Sequence, residues 1–444
     1  MKKLFAVLMT LLMFQLTANA GKIDKTIFQS GINKSAVSIS VRDVSTGKNV
    51  YSLNANAPKN PASTLKVITL TASADTLGKD YEFSTKLYKS TNNDLYLKLG
   101  ADPFFTTFQL KKLFAAAKAK NIIEPKNVYI DNSIFDNVEW GEGWQWDDDL
   151  NPLMPKFSAY NLDGNLLNIA LVPTRKDKPI EIIPEEFYPI TFMNLVTTGE
   201  NYNLNISKNA NIADMINLEG TIAKRTIVQL PTPNTKLYFN LRTKDAIRKH
   251  KINYYGKYTS KATPTNNIYL VEEINTPFQN AIDAILKNSN NMVAETVFKL
   301  AGAKFASSQG TLENSQKMLN NYFEKIGLTP DSVKIVDGSG VSKNNLLTAD
   351  FMTKFLVKNY DNEILTSLAK PGEGTLSTRM LYFKDNLRAK TGTLSDVSVI
   401  AGYLTARNGK TYAFNIMIND PKSTSQEKKT LEEYILRDIF ELRR

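Results

Sequence analysis

Three short stretches of the chain carry residues able to transfer an acyl group. The first is "NPASTLKVITLTA" over 60–72, where Ser63 stands three positions before Lys66 at the head of an apolar run. On a helix, residues at i and i+3 share one face, so Lys66 can reach the Ser63 hydroxyl. The amides and dipole at a helix N-terminus favour negative charge near that serine. Burial of the apolar run would loosen the proton on Lys66. That combination is a serine nucleophile with a lysine base. The same residues also fit a capping serine and a lysine that snorkels to solvent. Spacing alone does not decide, because Ser-x-x-Lys also occurs at Ser45/Lys48, Ser367/Lys370 and Ser425/Lys428. Ser45/Lys48 sits in a hairpin turn, and Ser367/Lys370 runs into Pro371-Gly372, where a helix must stop. Ser425/Lys428 begins a charged terminal segment. Only Ser63/Lys66 opens an apolar helix.

The second stretch is "NLRAKTGTLSDVSVIAGYL", which holds the one Lys-Thr-Gly of the chain at Lys390-Thr391-Gly392. Lys390, Thr391 and Thr393 offer a cation and two hydroxyls, a set suited to a carboxylate. Gly392 lets a substrate backbone approach closely. An ordinary strand with polar surface residues reads the same way. The third is Ser289-Asn290-Asn291 in "LKNSNNMVAETVF", which interrupts two helical segments as a loop entering a cleft would. Ser-x-Asn is common, and Ser52 and Ser207 begin further copies.

The other nucleophile chemistries are poorly supplied. The chain has no Cys and a single His. His250 lies in the basic, polar stretch "KDAIRKHKINYY". A zinc site and a Ser-His-Asp triad both lack residues here. A serine hydrolase on this chain draws its base from Lys or a carboxylate.

The elements that must position these residues come from both ends of the chain. "SAVSISVRDVSTGKNVYSL" (35–53) and "VSVIAGYLTARNGKTYAFNIMI" (397–418) each alternate about a turn and predict hairpins. A final helix carries Leu431, Tyr434, Ile435, Ile439 and Leu442 on one stripe. These ends are expected to share one antiparallel sheet. Between about 83 and 275 short strand-like runs dominate, among them "NVYIDNSIF", "LLNIALVP" and "LYFNLRT", as a β-rich insertion would. With 444 residues, two or three domains are expected.

Residues 1–20, "MKKLFAVLMTLLMFQLTANA", read as an export leader. Lys2 and Lys3 precede a short apolar run, and Ala18-Asn19-Ala20 is a small-residue cleavage site. The run is too short to span a bilayer comfortably, so a mature chain without a transmembrane anchor, placed in the periplasm, is expected. The formal charge of +11 fits a solvated basic surface or attraction to an anionic envelope polymer. Nucleic acid is not expected as a partner, since no binding motif is visible.

In the order Ser-x-x-Lys, Ser-x-Asn, Lys-Thr-Gly, the three stretches form the motif set of penicillin-binding serine acyltransferases. The chain resembles the D-alanyl-D-alanine carboxypeptidase/endopeptidases of the penicillin-binding protein 4 (DacB) type, peptidase family S13. "GADP" (100–103), "GWQWDD" (143–148), "DGSGVS" (337–342) and "GEGTLSTRM" (372–380) also look like segments of that family. The resemblance implies an α/β fold. A penicilloyl-transferase (β-lactamase-like) domain with an antiparallel sheet and helices is split by two smaller β-rich insertions. The expected divisions are 21–82 with 276–444 for the catalytic domain, 83–165 with 251–275 for one insertion and 166–250 for the other.

The resemblance implies that Ser63 attacks the bond between the two D-Ala residues of a peptidoglycan stem peptide and that Lys66 takes its proton. Ser289 and Lys390 would pass a proton to the leaving amine. The amides of Ser63 and Thr393 would form the oxyanion hole. Thr391, Gly392, Thr393 and Lys390 would bind the terminal carboxylate region, and Asn291 the acyl-side amide. No metal or cofactor is needed, and β-lactams would acylate Ser63. In "WGEGWQWDDD" (140–149) three Trp in seven residues read as core packing. The family implies an acid there that faces the third stem-peptide residue, by alignment Asp148, with Asp147 or Asp149 as substitutes. Two rivals share the fold: a serine β-lactamase and a non-catalytic peptidoglycan-binding protein. Asp147 to Asn151 imitates a lactamase Glu-x-x-Leu-Asn motif with Asp in place of Glu. The apolar stripe of the last helix leaves peripheral membrane contact open.

Overall fold

The computed structural model of the chain describes residues 21–212 and 215–442, apart from the side chains of Trp146 and Asp147. The leader expected over 1–20 lies outside the described residues. A helix over 21–30 precedes β1 (Val37–Asp43), β2 (Asn49–Leu53) and α1 (Leu65–Leu77). Next come β3 (Glu82–Ser90), β4 (Leu95–Lys98), α2 (Thr107–Ala119) and β5 (Val128–Asp131). The middle continues through β6 (Leu166–Val172), β7 (Glu181–Pro184), β8 (Thr191–Thr198), β9 (Asn203–Lys208), β10 (Met215–Ile222) and β11 (Thr226–Pro231). It ends in α3 (Thr235–Lys249), β12 (Tyr258–Ser260) and β13 (Ile268–Pro277). The last part holds α4 (Phe278–Leu286), α5 (Asn291–Ala306), α6 (Leu312–Lys325), α7 (Ala349–Lys358), β14 (Leu387–Thr393), β15 (Val397–Thr405), β16 (Thr411–Asn419) and α8 (Ser425–Phe440).

The two ends meet in one antiparallel sheet of order β14-β15-β16-β1-β2. β1 lies along β16, with Val37 opposite Ile418 and Asp43 opposite Tyr412, so the two predicted hairpins do share a sheet. Strand alternation sorts the side chains by face. Val37, Ile39, Val41, Phe414, Ile416 and Ile418 pack with Ile23 and Ile27 of the first helix and Leu431, Ile435 and Ile439 of α8. On the other face α7 packs on β1 and β16, where Thr353 Oγ1 and Ser40 Oγ lie 2.7 Å apart. The layering is helix, sheet, helix, as the resemblance implies. One stripe residue is corrected: Tyr434 is 51% exposed. The buried arc of α8 centres on Ile435, so Tyr434 falls at its edge, beside the Arg437 guanidinium.

The long insertion leaves and returns on neighbouring strands. β3 pairs antiparallel with β13 from Glu82–Pro277 to Ser90–Ile268. Both belong to a sheet of order β12-β5-β4-β3-β13, and two three-stranded sheets, β11-β6-β7 and β8-β10-β9, follow. The strand-like reading of "LYFNLRT" is overturned, because these residues lie in α3. Seven residues do alternate, but Tyr238, Phe239, Arg242, Thr243, Ala246 and Ile247 form the buried set, a 3.6-residue repeat. The Asn234 side chain caps the helix by accepting the Leu237 N–H at 2.9 Å. α3 packs on α2, so the middle of the chain is mixed rather than purely β.

Candidate active site

α1 is buried all round: every residue from Leu65 to Ala74 is inside. Its hydroxyls are satisfied locally, Thr71 donating to the Val67 carbonyl at 2.6 Å and Ser73 to that of Thr69 at 2.7 Å. A 3-10 turn, Ala62–Thr64, leads in, and Ala62 takes a left-handed conformation with φ 44°. Ser63 therefore sits on a sharp turn at the head of a buried helix. A second left-handed residue, Ser289 at φ 59°, lies between α4 and α5. Asn290 caps α5 by accepting the Val293 N–H at 2.9 Å, which places Asn291 in its first turn. Lys390 to Thr393 end β14, the edge strand beside the Ala62–Thr64 turn.

The three stretches converge. Lys66 Nζ, fully buried, lies 2.8 Å from Ser63 Oγ, 2.7 Å from Asn291 Oδ1 and 2.6 Å from the Ser339 carbonyl. Lys390 Nζ, also fully buried, donates to Ser289 Oγ and to the Thr391 carbonyl, both at 2.8 Å. Burial holds Lys66 at about 7, against the opposing pull of Asp337 and Glu295. Burial, and then the charge of Lys66, push Lys390 well below the ordinary lysine range. The snorkelling alternative fails for Lys66, and the surface-strand alternative fails for Lys390.

Thr391 is buried, its hydroxyl 2.8 Å from that of Thr375, while Thr393 is exposed. The Ala389 N–H points away from β15, to the Ala369 carbonyl at 2.9 Å. By strand alternation the Thr391 and Thr393 N–H groups face the same open edge. Gly392 fits against the nucleophile turn, since a Cβ there would stand 2.8 Å from the Ser63 nitrogen and 2.9 Å from Ala62 Cβ. A Gly392→Val chain is expected to acylate about 10²-fold more slowly, because the displaced turn misaligns Ser63. The check is the second-order rate constant for a chromogenic β-lactam, read beside the melting transition, which the same clash is expected to lower.

Asp148 comes from the stretch between β5 and β6. It is half-buried in the short turn Trp146–Leu150. Downstream of it the Leu153 carbonyl accepts Asn291 Nδ2 at 2.8 Å. Asp149 is ion-paired with Lys208, and the Asp147 side chain lies outside the described residues. Trp144 is core, as expected for this stretch, with its indole N–H on Asp337 Oδ2 at 2.9 Å.

Sequence reasoning missed four participants: Glu295, Asp337, Ser339 and Thr375. An acidic residue inside the apolar run "MVAETVF" was the available signal for Glu295, since such a group needs buried partners. The other three lie in "DGSGVS" and "GEGTLSTRM", whose spacing carries no chemistry by itself.

The family model for "D-Ala-D-Ala carboxypeptidase 3 (S13) family" matches residues 19–437. The chain is 24% identical over 395 residues to the D-alanyl-D-alanine carboxypeptidase DacB of Haemophilus influenzae, covering 83% of this chain and 82% of that one. It is 24% identical over 451 residues to a D-alanyl-D-alanine carboxypeptidase of Actinomadura sp. (strain R39), covering 91% and 81%. The fold is similar to that of penicillin binding protein 4 (dacB) from Haemophilus influenzae, with TM-score 0.81, 22% identity and 94% and 98% of the two chains covered. That protein has also been solved in complex with a β-lactam, at TM-score 0.76, 21% identity and the same coverage.

Proposed function

Since the chain belongs to the D-Ala-D-Ala carboxypeptidase 3 (S13) family, we propose that it cleaves the D-Ala-D-Ala bond of peptidoglycan stem peptides through an acyl-enzyme on Ser63. One observation carries this reading: Lys66 Nζ meets Ser63 Oγ, Asn291 Oδ1 and the Ser339 carbonyl together. A carbonyl and an amide oxygen can only accept. A neutral amine has two N–H donors for them and one lone pair. That lone pair has one partner able to give a proton, the Ser63 hydroxyl. The geometry thus suits an amine that takes the serine proton.

In the proposed first step Ser63 Oγ bonds to the carbonyl carbon of the penultimate D-Ala as its proton moves to Lys66. The Ser63 and Thr393 amides receive the developing oxyanion. The C–N bond then breaks, and the departing D-Ala amine takes a proton by way of Ser289, held by Lys390. Thr391, Thr393 and Lys390 receive the terminal carboxylate, and Gly392 keeps that edge open. Asn291 orients the acyl-side amide. Water releases the acyl group from Ser63 in the second step. Asp148 is proposed to face the third residue of the stem peptide. The same site would act as a DD-endopeptidase on cross-links, whose scissile bond also joins D-Ala to a D-centre. β-Lactams would acylate Ser63 in place of the peptide.

We extend the proposal to organisation and place. The catalytic part is assigned to 21–82 and 276–444, with inserted parts at 83–165 with 251–275 and at 166–250. Export through the 1–20 leader to the periplasm is proposed. Among the described residues no helix is long and apolar enough to cross a membrane.

The test uses residues 21–444 with diacetyl-L-Lys-D-Ala-D-Ala and, separately, a purified cross-linked muropeptide dimer. Release of free D-Ala is the expected result, and conversion of dimer to monomer would add the endopeptidase activity. No product from either substrate, together with no β-lactam adduct, would overturn the reading in favour of a binding protein. A β-lactam adduct hydrolysed within seconds would point to a lactamase.

A further inference from the structure

Behind Lys66 lies a buried pair of acids that the steps above do not use. Glu295 is on α5, one turn beyond Asn291, and Asp337 opens the loop 337–342; they are 5% and 1% exposed. Glu295 Oε2 accepts the Gly338 N–H at 3.0 Å, and its Oε1 accepts the Ser339 N–H at 2.7 Å. The Ser339 carbonyl is the group that receives Lys66. Asp337 Oδ1 accepts from Gly340 N at 2.8 Å and Asn345 Nδ2 at 2.7 Å. Its Oδ2 accepts from Ser342 N at 2.6 Å and Trp144 Nε1 at 2.9 Å. Every one of these bonds is received, as an ionised carboxylate requires. The loop also backs the nucleophile directly: a Cβ on Gly340, which has φ +80°, would meet the Ala62 carbonyl oxygen at 2.0 Å.

A loop can be pinned by amides or hydroxyls at lower desolvation cost. Two carboxyls beside one buried lysine do something more: they set its charge. Burial strips the proton from Lys66, and both acids oppose that. In turn burial and Asp337 raise Glu295 above the ordinary carboxylate range, while the hydrogen bonds from Gly338 and Ser339 favour its ionised form. Of the other charges nearby, Lys299 from the next turn of α5 senses Glu295, and Lys390 from β14 acts on Lys66. Lys299 is ion-paired with Asp136 and also senses Glu139. Glu295 borders a cavity of about 290 Å³ that Trp140, Phe157, Phe298 and Lys299 also line. None of Ser63, Lys66, Ser289 and Lys390 lines it.

We propose that Glu295 and Asp337 are positioning residues for acylation, a buried acid pair that holds the Ser339 carbonyl on Lys66 and governs how readily Lys66 gives up its proton. The proposal rests on the reading of Lys66 as the base. Its sign is fixed by charge. Each acid favours the ammonium form, so removing either charge lowers the pH at which Lys66 becomes a free amine.

The experiment is the pH profile of acylation by a chromogenic β-lactam for the wild type, Glu295→Gln, Asp337→Asn and Glu295→Asp. The acid inflection is expected to move down by about one pH unit in Glu295→Gln and Asp337→Asn. The plateau rate is expected to fall about tenfold, since each variant loses an acceptor for the loop. Glu295→Asp, which keeps the charge, is expected to hold the inflection in place. A lower plateau with unmoved inflections would reduce the pair to scaffolding and overturn the proposal. Lysine-ε-¹³C labelling reads the Lys66 titration directly, without turnover, and in the wild type needs no variant to fold. A Lys66 resonance in the folded wild type that titrates as an ordinary exposed lysine would also overturn it. Failure of the wild type to acylate would defeat the functional reading instead, leaving the labelled titrations of wild type and variants to decide the role of the pair.

Discussion

A Ser63→Ala chain takes up no penicillin, while the wild type carries one adduct by intact mass. This is the largest effect expected, on the order of 10⁶ in acylation rate, because the bond-forming atom is removed. The substitution should leave the fold intact. Ser63 is only half-buried, and its hydroxyl makes one hydrogen bond, with Lys66. Melting transition and circular dichroism are therefore expected to match the wild type. An adduct that persists in Ser63→Ala would place the nucleophile elsewhere and sink the assignment. Ser289 would be the first residue to try next, since its hydroxyl is also hydrogen-bonded to a buried lysine.

Lys66→Ala is expected to slow acylation by about 10³-fold or more while Ser63 remains in place, the loss typical of removing a general base. In the wild type the rate should rise as pH passes through about 7, because only the uncharged amine can accept the serine proton. In Lys66→Ala that inflection should vanish. Stability follows a sign of its own. Lys66 binds its proton less readily when folded than when unfolded, so it makes the wild type less stable at low pH. This penalty is fully present below about 7 and fades as pH rises toward the ordinary lysine value. The gap in melting temperature between Lys66→Ala and the wild type should therefore shift in favour of the variant as pH falls from the ordinary lysine value toward about 7, and level off below it. Rate loss with the inflection retained would mean that Lys390 is the base, because it is the other fully buried lysine of the site.

Much of the scaffold was legible because hydrophobic periodicity is local. The alternation at 35–53 and 397–418 named the strands, and their need to bury one face brought the ends into a single sheet. Where periodicity misled, tertiary partners had overruled a short window. "LYFNLRT" alternates for seven residues, but its continuation to Ile247 repeats at helical spacing and packs against α2. Tyr434 fits the stripe of α8 by count, yet it lies at the edge of the buried arc and is exposed.

The residues proposed to react were already named by the sequence. Ser63, Lys66, Ser289, Asn291 and Lys390 lie in stretches whose spacing puts nucleophile, base and cation in workable local geometries, because a helix turn and a strand edge are short-range structures. What no spacing could state is that Lys66 and Lys390 are both fully buried. Desolvation is a property of everything packed around a group, and here it is what separates a base from a surface lysine. The same holds for Glu295 and Asp337, 42 positions apart in the chain and joined to Lys66 through the backbone of Ser339. The sequence by itself determined which groups are available for the chemistry. Only the tertiary structure decided which of them share a dry site, since charge, proton affinity and reach depend on neighbours distant in the chain.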